Sequence, residues 1–106
     1  MIDDKMFEEM VSSATKPILV DFGAKWCGQC KMLMPVIDKI GEELKDKIDL
    51  IKLDVEDAHQ TAAKYNITKI PAIYLIKNSE PIFINAGPIS KGSLTKKILE
   101  NLLTHE

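Results

Sequence analysis

The spacing of hydrophobic positions changes several times along this chain, and the changes outline eight elements. Phe7, Met10, Val11 and Ala14 recur at i, i+3, i+4 and i+7, the period of an amphipathic helix, with Asp3 or Asp4 placed to cap it. Pro17 closes that region. Ile18-Leu19-Val20-Asp21-Phe22 is an apolar run interrupted by one acid, the pattern of a strand covered on both faces. Over residues 27–45 the helical period returns, with Leu33, Ile37, Ile40 and Leu44 on one face. Pro35 lies inside it and should kink the helix by removing one backbone hydrogen bond. Residues 50–55 read as a second buried strand, and residues 58–65 as a short helix with Asn66 as its C-cap. Strands over 72–77 and 81–85 flank the polar Asn78-Ser79-Glu80 and form an antiparallel hairpin. After the break at Gly87-Pro88, Ser90 caps a closing helix lined by Leu94, Ile98 and Leu102.

The order is therefore α-β-α-β-α-β-β-α. A strand-helix-strand unit requires a parallel pair, and the hairpin adds an antiparallel part. The expected fold class is α/β, with a mixed, mainly four-stranded sheet and helices on both faces. No repeat, low-complexity tract or linker divides the chain, so residues 1–106 are expected to form one domain.

Composition narrows the function classes. With 45% hydrophobic and 28% charged residues, the 106-residue chain is ordinary for a globular domain and large enough for a core. A net charge of −2 with dispersed Lys and Arg offers neither a basic patch for nucleic acid nor a polybasic membrane stripe. The acidic opening Met1-Ile2-Asp3-Asp4-Lys5 does not read as a secretory leader, and no apolar run would cross a bilayer. A cytoplasmic location is expected. The five Met residues read as core filler. His59 and His105, with no metal-ligand spacing to the cysteines, read as surface residues, and no metal site is expected.

The two cysteines carry the chemistry. Cys27 and Cys30 form a C-x-x-C pair that follows a buried strand and opens a helix. Unpaired N–H groups and the positive helix end there favour thiolate over thiol at Cys27. Cys30, one turn later, can attack a mixed disulfide formed at Cys27. Alone, the motif also fits half a zinc site or an inert buried pair. Its setting beside a β-α-β pattern is a recognised sign of thioredoxin-like redox chemistry.

The wider sequence is similar to the thioredoxin family over nearly its whole length. The matching stretches are Ile18-Leu19-Val20-Asp21-Phe22, Trp26-Cys27-Gly28-x-Cys30-Lys31, Lys52-Leu53-Asp54-Val55, Ile70-Pro71 and Gly87-Pro88-Ile89-Ser90-Lys91-Gly92. This resemblance implies that Cys27 is the attacking cysteine and Cys30 the resolving one. It implies that Asp21 is a buried acid that helps deprotonate Cys30, with Lys52 near it. It makes Trp26 the aromatic neighbour of the pair and Pro71 a cis-proline facing the cysteines. Ile70 then offers backbone to an extended substrate segment, and Gly87 belongs to the adjoining groove; Gly28 and Gln29 complete the contact surface. The implied activity is thiol–disulfide exchange that reduces protein disulfides, fed by an upstream disulfide reductase, with no cofactor beyond the Cys27–Cys30 disulfide. The chain is expected to act as a monomer.

Three departures from the family pattern stand out. Gln29 replaces a proline between the cysteines, restoring a backbone N–H; a shifted reduction potential is expected, and with it an oxidant or isomerase as the alternative activity. A third reading is a partner-binding module with little turnover. Gly23 stands where a second tryptophan is usual, so looser packing is expected around the site. Only Met1-Ile2 precedes the first helix, so the family's first strand is expected to be short or absent.

Overall fold

The computed structural model describes residues 2–106. Its elements are α1 (Asp4–Ser13), β1 (Ile18–Gly23), α2 (Gly28–Glu43), β2 (Asp49–Asp54), α3 (His59–Lys64), β3 (Ala72–Lys77), β4 (Glu80–Ala86) and α4 (Lys91–Thr104). The four strands form one mixed sheet in the order β2-β1-β3-β4. β1 runs parallel to β2 and antiparallel to β3, and β3 and β4 form the hairpin. No strand precedes α1 among the described residues, which leaves β2 at one edge of the sheet.

Alternation along β1 divides the core in two. Ile18, Val20 and Phe22 join Phe7, Ile51, Leu53, Tyr65 and Tyr74 on the face covered by α1 and α3. Leu19 joins Leu33, Ile37, Ile40, Ile73, Leu75, Leu94 and Ile98 on the face covered by α2 and α4. Asp21 shares the parity of Leu19, so its side chain is directed toward α2. Residues 18–22 of β1 and 72–76 of β3 are all buried because both faces of the central sheet carry helices.

The helix ends follow local chemistry. Asp3, not Asp4, caps α1 by accepting the Met6 N–H at 2.8 Å. Asp4 reaches across to α3, where Ala58 provides no side-chain cap, and accepts the Thr61 N–H and hydroxyl, both at 2.7 Å. Ser90 caps α4 as expected. At the end of α3, Asn66 takes φ 57° and the Ile67 N–H returns to the Ala62 carbonyl, a Schellman closure.

Several boundaries differ from the sequence expectation. The hairpin turn has two residues, not three: Asn78 and Ser79 both have positive φ, and Glu80 pairs with Lys77 inside the ladder. That geometry is the type I′ turn, whose twist matches paired strands. β2 starts and ends one residue earlier than residues 50–55, leaving Val55 outside the strand. α2 starts at Gly28 with Cys27 as its N-cap, and it ends at Glu43.

The methionines correct a second expectation. Met6, Met10, Met32 and Met34 are exposed rather than core filler, and Met1 lies outside the described residues. β-Branched residues and Leu occupy the inward helix positions, so the flexible thioethers fall on the outer faces of α1 and α2. Met10 thereby leaves the inner face of α1 to Phe7, Val11 and Ala14.

Candidate functional site

The strand-to-helix connection after β1 positions the cysteines. The Val55 N–H donates to the Gly23 carbonyl at 2.9 Å, tying the end of β1 to the chain leaving β2. Asp54 extends this brace by accepting the Lys25 N–H at 3.0 Å and the Glu56 N–H at 2.7 Å. Chain direction is thereby set before Trp26, and α2 begins one residue after Cys27. Cys27 and Cys30 are joined by a disulfide with their Cα atoms 5.3 Å apart. The Cys30 N–H points at Cys27 Sγ, 3.2 Å away, so the N-cap role usually filled by an oxygen is filled here by sulfur. Negative charge on that sulfur faces the positive end of a sixteen-residue helix.

Cys27 and Cys30 lie in a small apolar cluster with Ala24, Val55 and Ile70, and the two residues are 8% and 5% exposed. Around them the surface opens. Trp26 is 70% exposed, its indole N–H donating to Glu56 at 2.7 Å, and Gly28 and Gln29 are exposed beside it. On the other side, Ile70 precedes Pro71 through a cis peptide bond, and the Pro71 carbonyl accepts the Gly87 N–H at 2.7 Å. Gly87 holds φ 96°, a conformation that favours glycine. Ile70, Pro71 and Gly87, distant in sequence, are thus coupled to one another beside the disulfide.

Asp21 is 5% exposed and its Oδ1 has no hydrogen-bond partner among the described residues. Burial pushes its carboxyl up to about 6; the nearby Lys52 charge opposes the shift and Asp38 reinforces it. Lys52 is the direct neighbour of Asp21 across the β1–β2 ladder, but its Nζ forms an ion pair with Asp38 Oδ1 on α2 at 2.7 Å. Lys52 therefore stands near Asp21 while its ammonium group is engaged elsewhere. Asp21, Cys30 and Lys52 line one open cavity of about 430 Å³.

Each singled-out residue except the two histidines falls in or beside this region; His59 and His105 are exposed and separate from it. Three contributors were not anticipated. Asp38 restrains Lys52, Glu56 restrains Trp26, and Val55 packs on the cysteines. Asp38 lies one position after Ile37 on the outer side of α2, and nothing local in the sequence distinguishes it from other surface acids. Among the described residues, no group of His, Cys, Asp or Glu is arranged to hold a metal ion. No helix is long and apolar enough to cross a membrane.

Comparison with known proteins agrees with this geometry. The family model described as thioredoxin matches residues 1–100. The chain is 41% identical over 93 residues to a thioredoxin of Rickettsia prowazekii (strain Madrid E), covering 88% of this chain and 89% of that one. It is 37% identical over 101 residues to a thioredoxin of Haemophilus influenzae, covering 95% and 94%. It is also 37% identical over 98 residues to the chloroplastic thioredoxin M-type of Pisum sativum, covering 92% of this chain and 57% of the pea protein. A thioredoxin fold, a match along nearly the whole chain and a disulfide capping α2 give one conclusion: this chain belongs to the thioredoxin family and is a thiol–disulfide oxidoreductase that reduces protein disulfides.

Proposed function

We propose that Cys27 is the attacking sulfur and Cys30 the resolving one, with Asp21 as the proton acceptor for Cys30. The observation that carries the assignment is the Cys30 N–H directed at Cys27 Sγ at the start of α2. In the reduced protein the same donor and the helix end favour thiolate at Cys27. The thiolate attacks one sulfur of a substrate disulfide, forms a mixed disulfide and releases the other substrate sulfur as a thiol. Cys30 then loses its proton and attacks Cys27 Sγ. The intramolecular disulfide closes and the second substrate sulfur leaves. Asp21, unpaired and titrating near 6, is suited to take up the Cys30 proton at neutral pH. Lys52 tunes that carboxylate through its charge.

Substrate contact is assigned to Trp26, Gly28 and Gln29 on one side and to Ile70, Pro71 and Gly87 on the other. An extended segment can pair with the Ile70 backbone, which asks little of its side chains. An upstream disulfide reductase restores the dithiol, and the expected setting is the reducing cytoplasm, where a lone C-x-x-C pair serves catalysis rather than structure. Single-turnover reduction of insulin tests the assignment. Cys27→Ser should abolish it, and Cys30→Ser should accumulate a stable mixed disulfide at Cys27. Accumulation in Cys27→Ser instead would reverse the roles. Equilibration against glutathione separates a reductase from an oxidant: a reductase remains reduced except under strongly oxidising ratios.

A further inference from the structure

The side of α2 nearest Asp21 carries a row of residues at successive turns. Cys30 and Met34 line the cavity that Asp21 borders, and Asp38, four residues further on, continues that row beyond it. Lys52 approaches from the other side. It is the direct neighbour of Asp21 in the parallel β1–β2 ladder, so the two side chains leave the sheet on the same face. A cation in that place is expected to turn to the buried carboxylate. Instead its ammonium crosses to α2 and binds Asp38 Oδ1 at 2.7 Å, its one ionic partner among the described residues.

We propose that Asp38 is a positioning residue for the resolving step: by holding the Lys52 ammonium on α2, it keeps Asp21 able to take the proton of Cys30. The inference rests on the assignment of Cys27, Cys30 and Asp21 above and adds the residue that governs it. In that step the Cys30 thiol gives its proton to the Asp21 carboxylate. The resulting thiolate attacks Cys27 Sγ, the bond from Cys27 to the substrate breaks, and its electron pair leaves on the substrate sulfur. Asp21 then returns the proton to solvent.

Charge geometry gives the direction of the effect. An ammonium close to a carboxylate stabilises its ionised form and makes it a weaker base. Burial raises the Asp21 carboxyl most, Lys52 opposes the rise and Asp38 reinforces it. Asp38 acts twice in one sense: its own charge disfavours a second anion nearby, and its ion pair keeps the ammonium from swinging back over β2. The effect works through charge and needs no contact with the buried Asp21 Oδ1.

The other charged groups around the cavity are Lys25, Lys31, Asp54 and Asp57. Lys25 and Lys31 are exposed, and Asp54 is committed to the Lys25 and Glu56 N–H groups. Asp57 adds a fixed negative charge in the loop after β2, and β3 places the apolar Ile73 opposite Asp21. The adjustable element is therefore the Lys52–Asp38 pair. Both its side chains are about half exposed, so the pair adds little to stability and its loss leaves the fold intact.

The test mixes the pre-reduced full chain with the symmetric disulfide of thionitrobenzoate in stopped flow. Attack by Cys27 releases one coloured thiolate in a phase whose rate rises with reagent concentration. Closure by Cys30 releases the second in a phase whose rate does not. Asp38→Asn should slow the second phase about threefold at pH 8 and move its acid limb to lower pH, while the first phase stays within about twofold. Asp38→Glu, which keeps the acid, should restore the wild-type limb. In a Lys52→Met background, Asp38→Asn should shift the limb much less, because the ammonium it positions is gone. An unmoved limb in Asp38→Asn, an equal shift in Asp38→Glu, or a shift as large without Lys52 as with it would each overturn the proposal. A wild type with no second phase would instead refute the role of Cys30, and a limb that persists in Asp21→Asn would refute Asp21 as the proton acceptor.

Discussion

Asp21 is the residue at which stability and chemistry oppose each other. Its carboxyl titrates near 6 in the fold against an ordinary value of 3.8. Between those values the folded state binds more protons than the unfolded state, so stability falls as pH rises from 3.8 to about 6 and stays lowered above. The ionised carboxylate then costs the fold about 3 kcal/mol, because burial removes its hydration and its Oδ1 gains no hydrogen bond. Asp21→Asn should therefore stabilise the oxidised protein by up to that amount at pH 8, with the gain vanishing below pH 3.8; urea titrations across this range measure it. The same substitution should slow resolution by Cys30 and remove its rise through pH 6, while initial attack by Cys27 changes less. Stopped-flow kinetics of both steps separate the effects. A neighbour modulates this balance: Asp38 holds the Lys52 ammonium at 2.7 Å. Asp38→Asn removes a charge that raises the Asp21 carboxyl and frees Lys52 to turn toward it. The pH profile of resolution should move to lower pH.

At the scale of elements, helices and turns are secured by partners from outside themselves. α3 has only six residues and no side-chain cap of its own, and a helix that short is marginal without support. Asp4 supplies the missing acceptor from α1, and the bonds from Thr61 lower its carboxyl below the usual value. Asp4→Asn should reduce Tm at neutral pH, and the difference should shrink as acid protonates the wild-type carboxylate; thermal melts at pH 7 and pH 3 check this. Close by, the Tyr74 hydroxyl donates to the Tyr65 carbonyl at 2.6 Å within an edge-to-face aromatic group that includes Phe7 and Phe22. Tyr74→Phe leaves that buried carbonyl unpaired and should cost about 1 kcal/mol in denaturant unfolding. β4 tolerates Pro81 because it is an edge strand, and the positive φ at Asn78 and Ser79 accommodates the tight reversal before it.

Across the whole molecule, the sheet separates two apolar clusters and holds the disulfide at the end of β1, where strand gives way to helix. Ile18 belongs to the cluster under α1 and α3, and Ile37 to the cluster under α2 and α4. Ile18→Val and Ile37→Val should each cost about 1 kcal/mol and add within about 0.5 kcal/mol, because no side chain of one cluster packs into the other. A coupling well beyond that in a double-mutant cycle would show that the sheet transmits packing strain between its faces. The edge position of β2 among the described residues acts at this scale too. With β2 at the edge and residue 23 a glycine, the flank of Cys30 borders an open cavity.

Local patterns in the chain were enough for the element order, the mixed sheet and the pair Cys27–Cys30. Hydrophobic period, a first cap at Asp3 or Asp4, the cap at Ser90, and a C-x-x-C after an apolar strand all depend on near neighbours. Resemblance extended that reading to Asp21, Trp26, Ile70, Pro71 and Gly87, and folding brings these residues around the disulfide. The parts that were not legible depend on separation. Exposure of the methionines, the Lys52–Asp38 pair and the Asp4 cap on α3 arise between residues 14 to 57 positions apart or from competition for inward sites. The open flank of Cys30 is of that kind. A glycine at the end of a strand marks a place without a side chain, but only the packing of β2 and α2 around it decides whether that place is filled or borders an open cavity.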